Sequence, residues 1–150
     1  MRILFIGDVV GKIGRRMIKN YLPGLKREHG AHFTIVNGEN AAHGKGITES
    51  TYKEILNGGA DFITLGNHAF AKRDVYDLFE KDVKMVRPAN FPEGTPGDGS
   101  RVVNINGKKL LIVNLQARSF LEPIENPFTV IDKILEENEY DAAFVDFHSE

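Results

Sequence analysis

The alternation of short apolar runs with helical segments is the feature that most constrains the fold of this chain. Strand-like runs cover Arg2 to Ile6, His32 to Val36, Phe62 to Leu65 and Lys84 to Arg87, and helical patterns separate them. Strands that alternate with helices form right-handed βαβ crossovers and therefore a largely parallel sheet. The pattern predicts an α/β fold for the first half of the chain.

The helical segments carry their own start and stop signals. Pro23 is expected to bend or split the first helix, because proline lacks the N–H that a helix interior needs. Thr48 is predicted to cap a second helix that ends at Gly58-Gly59. A charged helix is expected from Lys72 to Lys81, and Asn126-Pro127 is typical of the first residues of a further helix.

The second half of the chain begins with a long loop and continues with a predicted hairpin. The stretch from Pro88 to Ser100 contains three prolines and three glycines, and a loop of that length is usually functional or disordered. Arg101 to Leu115 is predicted to form a β-hairpin around Asn106-Gly107, a pair that favours the type I′ turn. Ala142 to Phe147 is predicted to be the last strand.

Composition narrows the class of protein. The chain has 150 residues, enough for one domain with a hydrophobic core. It contains no cysteine, which excludes disulfides and thiolate metal sites and fits a reducing cytoplasm. No apolar run approaches the roughly 20 residues of a membrane span. The net charge of -2 gives no nucleic-acid signature. A cytoplasmic protein without a membrane partner is therefore expected.

Six polar residues follow the carboxyl ends of predicted strands: Asp8, Glu39, Asn40, Asn67, His68 and His148. Ligands bind at that edge of open α/β sheets, so these residues are expected to converge. Taken singly, each has an ordinary explanation, such as a helix cap for Asp8 or a structural role for either histidine. Together, carboxylate oxygen and imidazole nitrogen suit Fe, Mn or Zn.

The glycines that precede these residues, Gly7, Gly38 and Gly66, are expected to allow tight turns that aim the next side chain into the crevice. A buried acid such as Glu39 is costly unless it is paired or binds a metal.

Two rival nucleotide-binding motifs fail. The segment Gly7 to Lys12 has too few residues between its glycines for a phosphate-binding loop, and Ile13 stands where a hydroxyl should bind magnesium. Gly44-Lys45-Gly46 lacks the third glycine of a dinucleotide fingerprint. The first helix also carries four basic residues, which are either a phosphate-attracting group or, as we expect, its solvated face: Lys12, Arg15, Arg16 and Lys19.

Five motifs in order along the chain resemble one family. They are GDVVGK (7–12), NGENAAHGKG (37–46), GNH (66–68), RPANFPEGTPG (87–97) and DFH (146–148). This set is similar to the bacterial 2′,3′-cyclic-nucleotide 2′-phosphodiesterases, a branch of the calcineurin-like metallophosphoesterases. The resemblance implies an α-β-β-α sandwich, of which residues 1–150 are expected to be the N-terminal part of a single domain, incomplete at the C-terminus.

The resemblance also implies a dinuclear metal site with Fe or Mn, or Zn. Asp8 would bind one metal, with support from Asn40, and Glu39 would bridge both. Asn67 and His148 resemble ligands of the second metal, and His68 matches the general acid. Phosphodiesters such as cyclic nucleotides, and RNA ends, are the implied partners, and a homo-oligomer is expected.

The sequence departs from the family pattern in ways that bear on catalysis. Phe70 and Ala71 stand where the family has Trp and Asp, which removes an acid near His68. Ala117 replaces a family glycine, and the chain ends before a Gly-Thr-His-Thr-His motif that completes both metal sites in the family. On its own the chain is therefore expected to bind metal weakly. The alternative is a non-catalytic protein of the same fold that binds a nucleotide or a partner.

Overall fold

The computed structural model describes residues 1–81 and 83–149. Within them the elements follow in this order: β1 (Ile3–Ile6), α1 (Gly11–Glu28), β2 (Phe33–Asn37), α2 (Glu49–Asn57), β3 (Phe62–Thr64), α3 (Asp74–Phe79), β4 (Met85–Val86), β5 (Ser100–Ile105), β6 (Lys108–Gln116), α4 (Pro127–Glu137) and β7 (Ala142–His148). No helix in the described ranges is long and apolar enough to cross a bilayer.

The first sheet is fully parallel, with strand order β1-β2-β3-β4. Each connection between neighbouring strands crosses over through a helix, as the alternating pattern predicts. The predicted strands are therefore confirmed, with boundaries that shift by one or two residues. The carboxyl ends of all four strands lie at one edge of this sheet.

The second sheet has the order β5-β6-β7. β5 and β6 form the predicted antiparallel hairpin, and Asn106 and Gly107 adopt φ values of 53° and 83°, as a type I′ turn requires. β7 returns through α4 and pairs with β6 in parallel register, so that Gln116 lies beside His148. Asn126 caps α4 by accepting a hydrogen bond from the Phe128 N–H, which confirms that helix start.

The two sheets pack face to face, and helices cover their outer faces. Alternate residues of the strands divide between these layers, because successive side chains point to opposite faces. The inner layer joins the two sheets through Ile35, Phe62, Val86, Ile105, Leu110 and Ile112. On the outer faces, Ile18 and Leu22 of α1 pack against the first sheet, and α4 packs against β6. The molecule is thus an α-β-β-α sandwich, as expected.

Helix α1 runs without a break through Pro23, so this proline does not split the helix, and the bend that was expected as the other outcome stays a prediction. Its neighbour Leu22 is almost fully buried, and the packing of α1 on the sheet outweighs the missing N–H. The apolar positions of α1 do recur at helical spacing, but only part of them face the core. Ile13 and Tyr21 are 71% and 57% exposed.

Helix α2 begins as predicted. The Thr48 side chain accepts a hydrogen bond from the Thr51 N–H, and the Thr51 hydroxyl accepts one from the Thr48 N–H. This reciprocal capping box satisfies two N–H groups that a helix start leaves without partners. Helix α3 is shorter than the predicted span of Lys72 to Lys81.

The loop from Pro88 to Ser100 is folded around Arg87. The Arg87 guanidinium donates hydrogen bonds to the carbonyl oxygens of Pro88, Thr95 and Pro96 at 2.8, 3.0 and 3.3 Å. Burial lowers the pKa of Arg87, and the nearby Asp98 partly opposes this. One partly buried cation therefore holds the start of the loop against its middle.

Candidate active site

Asp8, Asn40 and His68 form a chain of hydrogen bonds at the carboxyl edge of the first sheet. The Asn40 amide nitrogen donates to Asp8 Oδ1 at 2.7 Å, and His68 Nδ1 lies 2.7 Å from Asn40 Oδ1. An ionised carboxylate only accepts, so the Asn40 nitrogen must face Asp8 and its oxygen must face the ring. Nδ1 of His68 is therefore the donor in this contact, and the second ring nitrogen, Nε2, is left for other chemistry.

Glu39 lies beside this chain and is only 1% exposed. Its Oε1 is 2.8 Å from His148 Nδ1, and its Oε2 accepts a hydrogen bond from the His68 N–H at 3.2 Å. These contacts compensate the cost of burying a carboxylate. They also bring the second sheet, through His148, to the strand ends of the first.

The turn after β1 is held against the turn after β2. The Val9 N–H donates to the Asn37 carbonyl at 3.0 Å, and the Gly11 N–H donates to the Asn40 carbonyl at 2.9 Å. Asp8, between them, has a φ of 31°, which is unusual for a residue with a side chain. Such conformations cluster at functional sites, where the surroundings enforce them.

The role expected of three glycines needs correction. Gly7, Gly38 and Gly66 do not adopt the left-handed conformation. Gly66 instead allows close approach, because a Cβ there would lie 2.3 Å from Glu39 Oε2. A Cβ on Gly38 would meet buried isoleucine side chains at 3.2 to 3.4 Å, whereas one on Gly7 would touch only Phe5 at 3.8 Å. At Gly38 and Gly66, glycine therefore serves the close approach of neighbouring side chains and not a turn conformation.

Asp146 connects the two sheets below the site. Its Oδ2 accepts hydrogen bonds from the Asn37 amide, at 2.9 Å, and from the Thr64 hydroxyl. Asp146 and His148 are two residues apart on β7, so they share the inner face of the sandwich. Sequence reasoning missed this link, although the period of two within the DFH motif already places both side chains on one face.

Asn67 contributes an oxygen atom that the described part of the protein leaves without a hydrogen-bond donor. This Oδ1 is buried. In the chain Asn67 lies between Gly66 and His68, and Gly66 is in close contact with the Glu39 carboxylate. A buried oxygen without a donor is costly unless something else binds it. A metal ion would satisfy it.

Arg15 is anchored and is not part of a solvated face, which corrects the expectation for that residue. Its guanidinium donates to the Glu54 carboxylate and to the carbonyl oxygen of Ala41. It thereby fixes the start of the 41–46 turn beside Asn40. The other three basic residues for which a solvated face was expected are exposed: Lys12, Arg16 and Lys19.

The structure therefore brings the predicted site residues to one edge of the sandwich. Hydrogen bonds link Asp8, Asn40 and His68, and they link His68, Glu39 and His148; Asn67 adjoins His68 in the chain. Among residues 1–81 and 83–149, no three carboxylate or imidazole groups converge closely enough to define a closed metal site. The donor set of carboxylate, amide and imidazole nevertheless suits Fe, Mn or Zn.

This α-β-β-α sandwich, with polar groups at the ends of its parallel strands, has the metallophosphoesterase-type α/β fold. The structure of an NAD nucleotidase from Haemophilus influenzae shares the fold, with a TM-score of 0.68 at 14% identity over 97% of this chain and 37% of that one. The chain belongs to the YmdB-like protein family, whose sequence model matches residues 4–150.

Two relatives are much more similar. A 2′,3′-cyclic-nucleotide 2′-phosphodiesterase from Bacillus subtilis is 53% identical over 152 aligned residues, covering 100% of this chain and 58% of the relative. A crystal structure of a Thermus thermophilus protein matches with a TM-score of 0.95 and 41% identity, covering 100% of this chain and 58% of that one. The chain thus spans a little over half the length of the curated relatives it matches.

Proposed function

We propose that the protein is a metal-dependent phosphodiesterase that hydrolyses 2′,3′-cyclic nucleotides and related phosphodiesters, and that residues 1–150 are the N-terminal part of its single catalytic domain. The observation that carries this proposal is the Asp8–Asn40–His68 hydrogen-bond chain beside the buried Glu39–His148 pair. The name of the 53% identical relative supports the same substrate class. The absence of cysteine fits a cytoplasmic enzyme.

The metal ligands in this proposal are Asp8, Glu39, Asn67 and His148, with Asn40 beside the first ion. The buried Asn67 oxygen supports this assignment. Two ions of Fe or Mn, when bound, would supply charge neutralisation at the phosphate and lower the pKa of the attacking water.

His68 is the proton donor in this proposal. The leaving oxygen of a sugar phosphate departs poorly as an alkoxide and needs a proton. Because Asn40 holds the Nδ1–H of His68, the proton to be transferred resides on Nε2. Transfer of this proton from Nε2 leaves a neutral ring whose Nδ1–H is still hydrogen-bonded to Asn40. Asn40 thus provides the orientation that the acid missing at Ala71 would otherwise give.

The product of this reaction on a 2′,3′-cyclic nucleotide is a 3′-nucleotide, because the 2′ oxygen is the one released. RNA ends that carry a 2′,3′-cyclic phosphate present the same reacting group, and we propose them as further substrates. Only the phosphate and its ribose need to enter the site for either substrate.

The test is hydrolysis of 2′,3′-cyclic AMP by the protein at its full encoded length, loaded with Mn or Fe. His68→Ala is expected to lower kcat by about 10²–10⁴-fold, the usual contribution of a general acid. Metal content measured by elemental analysis should stay unchanged. His29→Ala is the matched control, because His29 is exposed at the end of α1.

A wild-type protein that binds two metals but turns over no phosphodiester would favour the non-catalytic alternative, which the loss of an acid at Ala71 supports. Full turnover by His68→Ala would remove this histidine from the mechanism.

A further inference from the structure

A cavity of about 480 Å³ opens beside Asn67 and His68. Its walls include two aromatic rings, Phe70 and Phe120, and two charged side chains, Lys45 and Glu122. The cavity adjoins the predicted proton donor and also Asn67, but it is lined by none of the predicted metal-binding carboxylates. It therefore extends from the reacting centre towards the aromatic residues and has room there for a part of the substrate that is not the phosphate.

Phe120 is the most exposed large apolar side chain in the described structure, at 96%. Its backbone has a φ of 58°, a conformation that bulky residues rarely adopt. Both the exposure of a full aromatic ring to water and the left-handed backbone cost free energy at Phe120. A ring held in this way at the rim of a cavity is suited to contact with another flat apolar group.

The loop that carries Phe120 is attached at both ends. The Ala117 N–H donates to the His148 carbonyl at 2.8 Å, and the Glu125 N–H donates to the Asn90 carbonyl at 3.2 Å. The Asn90 amide in turn donates to the Glu125 carbonyl at 3.0 Å. The position of Phe120 is thus tied to β7 and to the loop after β4.

Phe70 forms a fixed wall of the cavity. Its ring centroid lies 5.2 Å from that of Tyr76, 5.9 Å from that of Phe79 and 6.0 Å from that of Phe91. These tilted contacts are typical of stable aromatic clusters. The cavity therefore combines one immobilised ring, one free ring and two charged groups that can hydrogen-bond.

We propose that this cavity binds the nucleoside of the substrate, with the base stacked on Phe120. The inference rests on the proposed function, because a proton donor must adjoin the leaving oxygen, and the leaving oxygen belongs to the ribose. The nucleoside must then lie on the His68 side of the phosphate, where the cavity is. Lys45 and Glu122 contact polar groups of the ribose or base. Every base offers a flat face, so stacking gives affinity with little base preference.

The direct test is binding, which does not depend on turnover. The affinity of the metal-loaded, full-length protein for adenosine 3′-phosphate is measured by calorimetry. Stacking on one aromatic ring contributes about 1–3 kcal/mol per base. Phe120→Ala should therefore weaken binding about 5- to 150-fold, since 1.4 kcal/mol is tenfold. Phe120→Trp should restore it, and affinity for inorganic phosphate should not change.

Phe128→Ala is the matched control, because Phe128 is also an exposed ring, at 68%, but lies against Phe147 and not in this cavity. It should leave nucleotide affinity unchanged. A kinetic comparison completes the test. Phe120→Ala should raise KM for 2′,3′-cyclic AMP but leave kcat/KM unchanged for the 2,3-cyclic phosphate of methyl riboside, which has no base.

Unchanged nucleotide affinity in Phe120→Ala would overturn the proposal, and so would an equal loss for the substrate without a base. Unchanged affinity with a lower oligomeric mass would assign Phe120 to a contact between copies instead. Failure of the proposed function is a separate outcome: the wild-type protein would then hydrolyse neither substrate. The binding measurement does not need turnover, so it would still decide whether Phe120 contacts the nucleoside.

Discussion

Asn40 is the residue that joins the two halves of the candidate site. Its amide has one orientation compatible with both neighbours, because Asp8 accepts and His68 must then donate. Its backbone carbonyl accepts from Gly11 and Gly44, which fixes the turn that carries it. The orientation of His68 is therefore set by an amide, and the alanine at position 71 need not disorganise it.

Gly66 gives a sharp test of the site at the level of one atom. A methyl group at this position would overlap the Glu39 carboxylate. We expect Gly66→Ala to displace Glu39 from His148 and to weaken Mn binding at least tenfold, as measured by calorimetry. The fold should survive, because the nearest atoms to the added Cβ all belong to the Glu39 side chain and not to the backbone.

Gly24→Ala is the control for this substitution. Gly24 lies in the middle of α1, where nothing lies within 4 Å of an added Cβ. Alanine there should stabilise the protein by about 0.5–1 kcal/mol without affecting metal binding. Equal metal affinity in both variants would show that Glu39 is not held by contact with Gly66.

At the scale of elements, the sequence predicted local backbone structure better than the tertiary contacts of the same residues. Caps and turn residues such as Thr48, Asn126 and Asn106-Gly107 specify their own backbone geometry, so they were predictable from sequence. Pro23 does not split α1, because the burial of the helix outweighs a local defect. Arg15 was misjudged because its partners, Glu54 and the Ala41 carbonyl, are far away in sequence.

For the candidate site, too, the sequence predicted the positions of residues better than their contacts. The position of each site residue at a strand end follows from hydrophobic patterning and parallel topology, and both are readable from the sequence. The contact between Glu39 and His148 depends on the docking of β7 on β2 and β3, which no local pattern specifies. The space requirement at Gly66 is likewise visible only once Glu39 is in place.

The loop from Pro88 to Ser100 should depend on Arg87. Lysine keeps the charge but has a single nitrogen, so Arg87→Lys loses at least one of the three carbonyl contacts. Hydrogen bonds to charged groups contribute about 1.5–3 kcal/mol each, so a loss in that range is expected in denaturant unfolding. Amide hydrogen exchange in the loop should also become faster.

Arg16→Lys provides the control, because Arg16 is exposed on α1 and lies far from this loop in the sequence. Protection in the loop that is equal in the two variants would argue against Arg87 as its organiser.

At the scale of the whole molecule, Asp146 forms a polar link between the sheets that contributes to stability and to site geometry. Asp146→Ala removes the acceptor for the Asn37 amide and the Thr64 hydroxyl, both of which are on buried residues. Each donor left without a partner costs about 1–3 kcal/mol. Thermal unfolding should occur at a clearly lower temperature, and Mn affinity should fall because His148 follows two residues later.

Asp132→Ala is the control on the exposed side of α4. A variant at position 146 as stable as this control would mean that the link adds nothing to the docking of the sheets.

Residues at the free edges of the two sheets adjoin each other. Phe5 of β1 contacts Phe144 of β7 with ring centroids 5.0 Å apart, and Phe5, Val145 and Phe147 are all partly exposed. Both strands end their sheets, so this side of the sandwich presents backbone groups as well as apolar side chains. A homo-oligomer remains a prediction.

The place of His148 in the chain has a consequence for biosynthesis. Translation at about 5–20 residues per second delivers the first sheet to the exterior of the ribosome seconds before the second sheet is complete. During that interval the Glu39 carboxylate lacks its imidazole, and the Asn37 and Thr64 donors lack their acceptor. The nascent chain therefore carries one carboxylate and two donors without these partners until β7 docks. The closing of the sandwich then satisfies all three groups in a single late step.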